Sequence, residues 1–457
     1  RDPAFSEYCY HKAQRFYDEE LSLRQTCNDN PNSLSVLYFT KALVQHYTFW
    51  DSEENLLKCL EYANTSIQIL NENKVAGKID QLFFRTGKLN VMLFKSEYLI
   101  NLYRLENNRK YLDELHKNAS EAYAVFSTLI NSLKSDNIGS VFEIYNLFQF
   151  DALIFSELEL YKLTRDKKYL NSAFSHSQQS RFLDLLSEQK NKTSLNFNKE
   201  YLDDLIKKNI FFTRFISHAF LDYYSSDFVP CVVFVVSNGA LHLYSGNKPD
   251  FSKLAVLSDP GYLNSKSDTV YQVLNTLYND LIKPVEGYIK GKRNIHISSK
   301  SEFSTIPFDA LMADLRNHNH FLGDDYCIQN RFSLLINPLC KSTNQNDPVS
   351  LFTLNPQYIT HPDLLFHNKL CDELNEKYKA VSVRQLNNLP CNNPFILQIS
   401  AHGYFDSTLM KPALLLNDSE IVTHNGIENM SSSPLLACLI MCESGRGVIK
   451  LYEGSDN

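Results

Sequence analysis

The chain has 457 residues, enough for two or three domains with proper cores. An apolar share of 44 % and a charged share of 21 % exclude wholesale disorder, and 45 basic against 52 acidic side chains (net charge −7) exclude a chain-wide electrostatic footprint for nucleic acid or anionic membrane. Ten cysteines without a CxxC pair or a regular framework argue against zinc and against a secreted disulfide scaffold, and point to a reducing compartment.

No apolar run approaches the roughly 20 residues of a membrane span, and the polar start from Arg1 to Glu7 lacks the apolar core of a signal peptide. The expectation is a cytoplasmic protein with no membrane partner. Because the chain opens on Arg1 rather than Met, an address carried upstream would be invisible.

Up to about residue 190 the sequence is poor in Gly and Pro, and apolar residues recur at helical spacing. Leu37, Phe39, Ala42, Leu43 and His46-Tyr47 step around one face of 34–47, and blocks near 88–105, 110–133, 141–163 and 167–187 read similarly. An internal repeat is visible: Tyr103-x-Leu105-x4-Lys110-Tyr111-Leu112 overlays Tyr161-x-Leu163-x4-Lys168-Tyr169-Leu170 at an offset of 58. A weaker copy starts at Tyr47, with Phe49 and Leu56 in the places of Leu105 and Leu112 and with Ala63 opposite Ala119. Stacked helical hairpins in a solenoid are the physical reading. This loosely resembles tetratricopeptide repeats, although the offset exceeds their 34-residue period. The region is expected to occupy 1–200.

Lys190-Asn191-Lys192-Thr193-Ser194 reads as an exposed junction, and a last helix is expected from about Leu202 to Tyr224. The texture then changes. Cys231 to Val236 is a β-branched run, followed by Ser237-Asn238-Gly239 and then Ala240 to Tyr244, which predicts a hairpin turning at Asn238-Gly239. A helical stretch at 268–290 precedes strand candidates at 294–298, 350–354, 395–400 and 435–441. Strands alternating with helices predict an α/β domain with a mainly parallel sheet over 201–457.

Two strand ends carry chemistry. Phe395 to Ser400 runs into Ala401-His402-Gly403, which puts an imidazole at a strand mouth beside a glycine that tolerates close approach of a substrate. Leu435 to Met441 runs into Cys442-Glu443-Ser444-Gly445-Arg446-Gly447, which puts a thiol before a glycine-rich turn. A thiol of ordinary pKa, about 8.5, is mostly protonated at neutral pH and needs a nearby base, so the pair predicts a Cys/His dyad. Backbone N–H groups of Gly403 and Cys442 are the candidates for holding an oxyanion. Cys438 is read as a small core residue, because Leu439-Ile440-Met441 after it continues the strand. His242 and His296 lie inside strand-like runs and are read as packed or surface residues, and His424 sits in a polar loop.

The segments 233–244, 277–285, Ile306-Pro307-Phe308-Asp309-Ala310-Leu311, Asn355-Pro356, Ser400-Ala401-His402-Gly403 and Cys442-Glu443-Ser444-Gly445 together resemble a CHAT domain, the caspase-like peptidase module often found behind tetratricopeptide repeats. The resemblance spans about 225–457. It implies that His402 is the catalytic histidine and Cys442 the nucleophile of a cysteine endopeptidase that requires no metal or organic cofactor. It also implies a protein substrate, and a regulatory protein or ribonucleoprotein docked on the helical repeats, as in bacterial antiviral, CRISPR-associated defence. Direct sequence-specific nucleic-acid binding is not expected. The turn around Asp309 is mainly architectural in this reading. Family members usually continue further beyond the nucleophile than the fifteen residues present here, so the domain is expected to be C-terminally short. The competing readings are a catalytically silent scaffold and, more distantly, a thiol acyltransferase, for which no motif supplies an acyl-donor site.

Overall fold

Among the described residues, six long helices form on apolar residues at helical spacing. They are α1 (Pro31–Thr48), α2 (Glu53–Val75), α3 (Gln81–Glu106), α4 (Arg109–Ser132), α5 (Ile138–Thr164) and α6 (Lys167–Glu188). Ser52 caps α2 by accepting from the Asn55 N–H at 3.2 Å, and Asp80 caps α3 by accepting from the Phe83 N–H at 2.8 Å. The structure, a computed structural model, describes residues 12–13, 15–20, 22–23, 31–48, 52–132, 138–188, 218–226, 228–246, 248–254, 268–299, 303, 306–316, 320–330, 350–354, 369, 372–373, 375–377, 379, 381–383, 395–400, 402–406, 411–415, 421–423 and 436–440.

The repeat in the sequence is a repeated turn. Asn107 ends α3 in the left-handed region (φ 48°) and its N–H donates to the Tyr103 carbonyl at 2.7 Å; Arg165 does the same after α5 (φ 58°), donating to Tyr161 at 2.8 Å. The next residue then opens the following helix in each copy: the Asn108 side chain accepts from the Lys110 N–H at 3.0 Å, and Asp166 accepts from the Lys168 N–H at 3.0 Å. Leu56, Leu112 and Leu170 are all buried at equivalent places, as are Ala63, Ala119 and Ser177, whose small side chains let helices approach closely. The hairpins α3–α4 and α5–α6 have helices of 26, 24, 27 and 22 residues, which is why the offset is so long. Phe49 lies outside the described residues.

The chain divides into two compact units, Arg1–Asp250 with Tyr271–Ser298 and Asp309–Leu335, and Phe251–Val270 with Ser299–Phe308 and Ile336–Asn457. The first holds a five-stranded sheet of order β3-β2-β1-β4-β5, built from β1 (His218–Tyr224), β2 (Val232–Ser237), β3 (Ala240–Ser245), β4 (Asn294–Ser299) and β5 (Cys327–Asn330). The hairpin β2–β3 turns at Asn238 (φ 53°) and Gly239 (φ 76°), the two positive φ values that a two-residue hairpin turn of the favoured hand requires.

Two expectations are corrected. Residues 218–224 are a strand rather than the end of a helix, while 202–217 lie outside the described residues. His218–Tyr224 is apolar on both faces because it is an interior strand: Phe220 meets Phe174 of α6, and the Tyr223 hydroxyl on the other face donates to the Leu281 carbonyl at 3.1 Å, at the end of helix α7 (Asp268–Leu281). Nor is the sheet structure mainly parallel. β1–β2 and β2–β3 pair antiparallel and β4–β5 parallel, because short connections force neighbours to reverse direction.

Buried charge ties α6 to this sheet. Arg181, 2 % exposed, pairs with Asp222, which is fully buried, and donates to the Tyr223 carbonyl at 2.8 Å and to the Ser298 hydroxyl. Ser177 and Gln178 each donate to Asp222 Oδ2 at 2.7 Å. Apolar side chains of α1 to α6, β1 and β2 form one continuous core around this contact.

The second unit contains two sheets. One has the order β12-β8-β6-β7, from β6 (Ser350–Leu354), β7 (Val381–Val383), β8 (Phe395–Ser400) and β12 (Leu436–Ile440), and every neighbouring pair in it is parallel. The other is an antiparallel meander of β9 (His402–Asp406), β10 (Lys411–Leu415) and β11 (Ile421–Thr423). Among the described residues, no helix is long and apolar enough to cross a membrane.

Candidate active site

β8 is a buried strand with Leu397 and Ile399 each 2 % exposed, and parallel partners lie on both its edges. Residue-for-residue pairing with β12 sets Gln398 opposite Cys438 and Ser400 opposite Ile440. Parallel neighbours run about 4.8 Å apart, so both strands end at the same edge of the sheet, where side chains in parallel sheets gather for chemistry. His402 follows Ser400 by two residues, and Cys442 follows Ile440 by two residues. Cys442 and residues 443–447 lie outside the described residues, as does His424.

His402 opens β9, separated from β8 only by Ala401, so the chain passes from the parallel sheet to the meander at this residue. In the meander His402 stands opposite Leu415 and Gly403 opposite Leu414. β9 is an edge strand, and in an antiparallel pair alternate residues turn their N–H groups toward the partner or away from it. One of the two consecutive N–H groups of His402 and Gly403 therefore faces away from β10. Cys438 lies within β12, two residues before its end.

Of the described cysteines elsewhere, Cys327 is exposed, whereas Cys59 and Cys231 are buried. Burial pushes the Cys59 thiol up to about 12 and the Cys231 thiol up to about 11. Both are held protonated and unreactive at neutral pH.

The other described sequence candidates belong to the first unit. His242 is half-buried with its ring 4.6 Å from that of Tyr288, and burial lowers its pKa. His296 is buried, its Nε2 3.2 Å from Nδ1 of His218. Asp309 is exposed within the one-turn helix Phe308–Ala310, while Ile306, Phe308 and Leu311 around it are buried.

Sequence reasoning missed the Arg181–Asp222 pair and the His218–His296 contact, both of which involve β1. An aspartate inside the apolar run Ala219 to Tyr224 was the available signal, since an acid enclosed by apolar neighbours needs a buried partner.

The CHAT domain family matches residues 272–457. This range contains β8, β9 and β12 and begins after the β2–β3 hairpin. No tetratricopeptide repeat family matches the helical region. No curated protein matches the chain.

Proposed function

We propose that the chain is a cysteine endopeptidase of the caspase-like CHAT type, in which Cys442 is the nucleophile and His402 the general acid and base. The observation that carries this reading is the β8–β12 register: the segments bearing the two residues leave adjacent parallel strands from paired positions, Ser400 and Ile440. The CHAT match over 272–457 supports it.

In the proposed reaction the proton of Cys442 passes to His402, and the thiolate sulfur bonds to the substrate's carbonyl carbon. The carbonyl π electrons move onto oxygen, which backbone N–H groups of Gly403 and Cys442 hold. Collapse of this intermediate breaks the C–N bond as the imidazolium of His402 gives its proton to the departing amine, leaving a thioester. Water, deprotonated by His402, then attacks the thioester; the carboxylic acid leaves and the thiol is restored. A partner docked on the helical hairpins gates the site, and the contact of α6 with β1 is the route by which helix movement reaches a sheet.

The test compares the wild-type chain with Cys442→Ala, Cys438→Ala and His402→Ala in a proteome extract, with and without candidate activators, by mapping new N-termini with mass spectrometry. Cleavage lost in Cys442→Ala and His402→Ala but kept in Cys438→Ala supports the reading. Loss in Cys438→Ala alone moves the nucleophile. Cleavage by no form under any activator, including from a chain extended at its C-terminus, leaves the scaffold reading.

A further inference from the structure

The two repeated turns keep residues that packing does not require. Tyr103, Tyr111 and Leu112 are buried in the first turn, and of their counterparts in the second Leu170 is buried and Tyr161 and Tyr169 are half-buried, so the fold accounts for them. Leu105 and Leu163 also correspond, yet they are 51 % and 52 % exposed. A lone exposed leucine is ordinary. Here the same exposure recurs at the same step of two turns whose capping residues have diverged, Asn107-Asn108 in one and Arg165-Asp166 in the other, and each leucine is followed five residues later by an exposed lysine, Lys110 or Lys168.

The turns stand side by side on one edge of the helical layer. The Tyr103 hydroxyl donates to Glu159 Oε2 at 3.2 Å, and the His116 and Tyr169 rings lie 5.8 Å apart, which holds the end of α3 against α5 and the start of α4 against α6. The edge is basic within an acidic chain: residues 104–110 and 162–168, all exposed, carry seven basic and two acidic side chains. Arg109, Lys162 and Lys168 have acidic neighbours at 3.3, 2.6 and 3.1 Å, in Asp113, Glu159 and Asp166. Among the described residues, Lys110, Arg165 and Lys167 have no ion-pair partner.

We infer that this edge, formed by Leu105, Lys110, Leu163, Arg165 and Lys167, is a docking surface for an acidic, extended peptide segment of a partner protein that carries two apolar residues three positions apart. Charge complementarity selects an acidic partner. The paired leucines select a polypeptide over a nucleic-acid backbone, which has no use for aliphatic anchors at this spacing. Directly packed helices lie about 8–10 Å apart, and an extended polyproline-II-like chain presents the same face every three residues, or roughly 9 Å, so the two spacings are of the same order. The inference names the docking edge of the gating partner proposed above, but it stands on the hairpins alone; binding is read without cleavage, so either reading can fail while the other survives.

The test is fluorescence anisotropy with the full chain and a short labelled peptide of Asp and Glu holding two leucines three residues apart. The comparison probes are the same peptide with serines for leucines and an oligouridylate of equal charge. The expected result is saturable binding of the leucine peptide, weakened about tenfold or more by serine in the peptide, by Leu105→Ser with Leu163→Ser, and by Lys110→Glu with Arg165→Glu and Lys167→Glu, at unchanged helicity by circular dichroism. The serine peptide tests the point without altering the protein, should a variant lose helicity. Equal binding of both peptides, equal binding of oligouridylate with no effect of the leucine variants, or no saturable binding of any probe overturns the inference.

Discussion

In the helical hairpins one turn is built twice, with Asn107-Asn108 in the first and Arg165-Asp166 in the second making the same backbone bonds. In the four-stranded sheet two neighbouring strands end together, but the residues that follow are unlike: Ala401-His402-Gly403 after β8 and Met441-Cys442-Glu443 after β12. Packing is content with repetition, because the same helical step buries Leu112 and Leu170 equally well. Chemistry at a strand end needs two different groups, a nucleophile and a proton carrier, and repetition there would defeat it. A residue repeated in the hairpins is therefore explained by packing unless it is exposed, and a residue unique to a strand end is explained by what it does.

The largest expected effect separates the cysteines of the packed interior from the proposed nucleophile. At pH 7 a thiol with pKa near 12 or 11 is thiolate in roughly one molecule in ten thousand or fewer, against a few per cent for an unperturbed thiol. Alkylation by iodoacetamide, followed by peptide mass mapping, is expected to modify Cys442 at least a hundredfold faster than Cys59 or Cys231, whose thiols burial pushes up to about 12 and about 11. Labelling of Cys59 in the native chain as fast as Cys442 would erase the distinction between structural and chemical thiols drawn here.

A second measurement concerns the contact between helices and sheet. Asp222→Asn leaves Arg181 buried without its countercharge, and breaking such a pair from one side costs about 3–5 kcal/mol. Removing both charges together, as Arg181→Met with Asp222→Leu, is expected to cost far less, since it leaves no orphaned charge. Urea denaturation of the wild type and the two variants checks this. Equal losses for the single and double variants would mean that packing volume, rather than the ion pair, holds α6 to β1.

How much of this was legible in the sequence depended on whether the signal was local. The helices were, because the 3.6-residue period runs through each of them, and so was the β2–β3 turn, because Asn238-Gly239 suits positive φ. β1 was not: buried on both faces, it shows no alternation, and its run of Phe220, Leu221, Tyr223 and Tyr224 reads equally well as a buried helix. The meander was hidden by Pro412, which argues against a strand. In β10 it is opposite Phe405 of β9 and lies outside the pairing with β11, which takes in only Ala413, Leu414 and Leu415. At the candidate site, the strands that precede His402 and Cys442 were legible as apolar runs that break into His-Gly and Cys-Glu-Ser-Gly. Their adjacency was not, because pairing of Ser400 with Ile440 joins residues forty apart. The same holds for Arg181 and Asp222, whose contact depends on which helix face meets which strand.

The smallest expected effect tests the repeated turn itself. Asn107 and Arg165 both sit in the left-handed region, at φ 48° and φ 58°. Asparagine visits that region more readily than other residues with a Cβ, because its short amide bonds locally to the backbone, whereas arginine has no such compensation. Glycine enters it without steric cost and caps helices there most often. Arg165→Gly is therefore expected to stabilise the chain by about 0.5–1 kcal/mol, and Asn107→Gly by a few tenths at most. Thermal denaturation of both variants gives the comparison. Because Arg165 also belongs to the proposed docking edge, its glycine variant is expected to gain stability while losing affinity for the acidic leucine peptide. A gain in both would mean that the arginine is a relic of the turn rather than a contact kept for a partner.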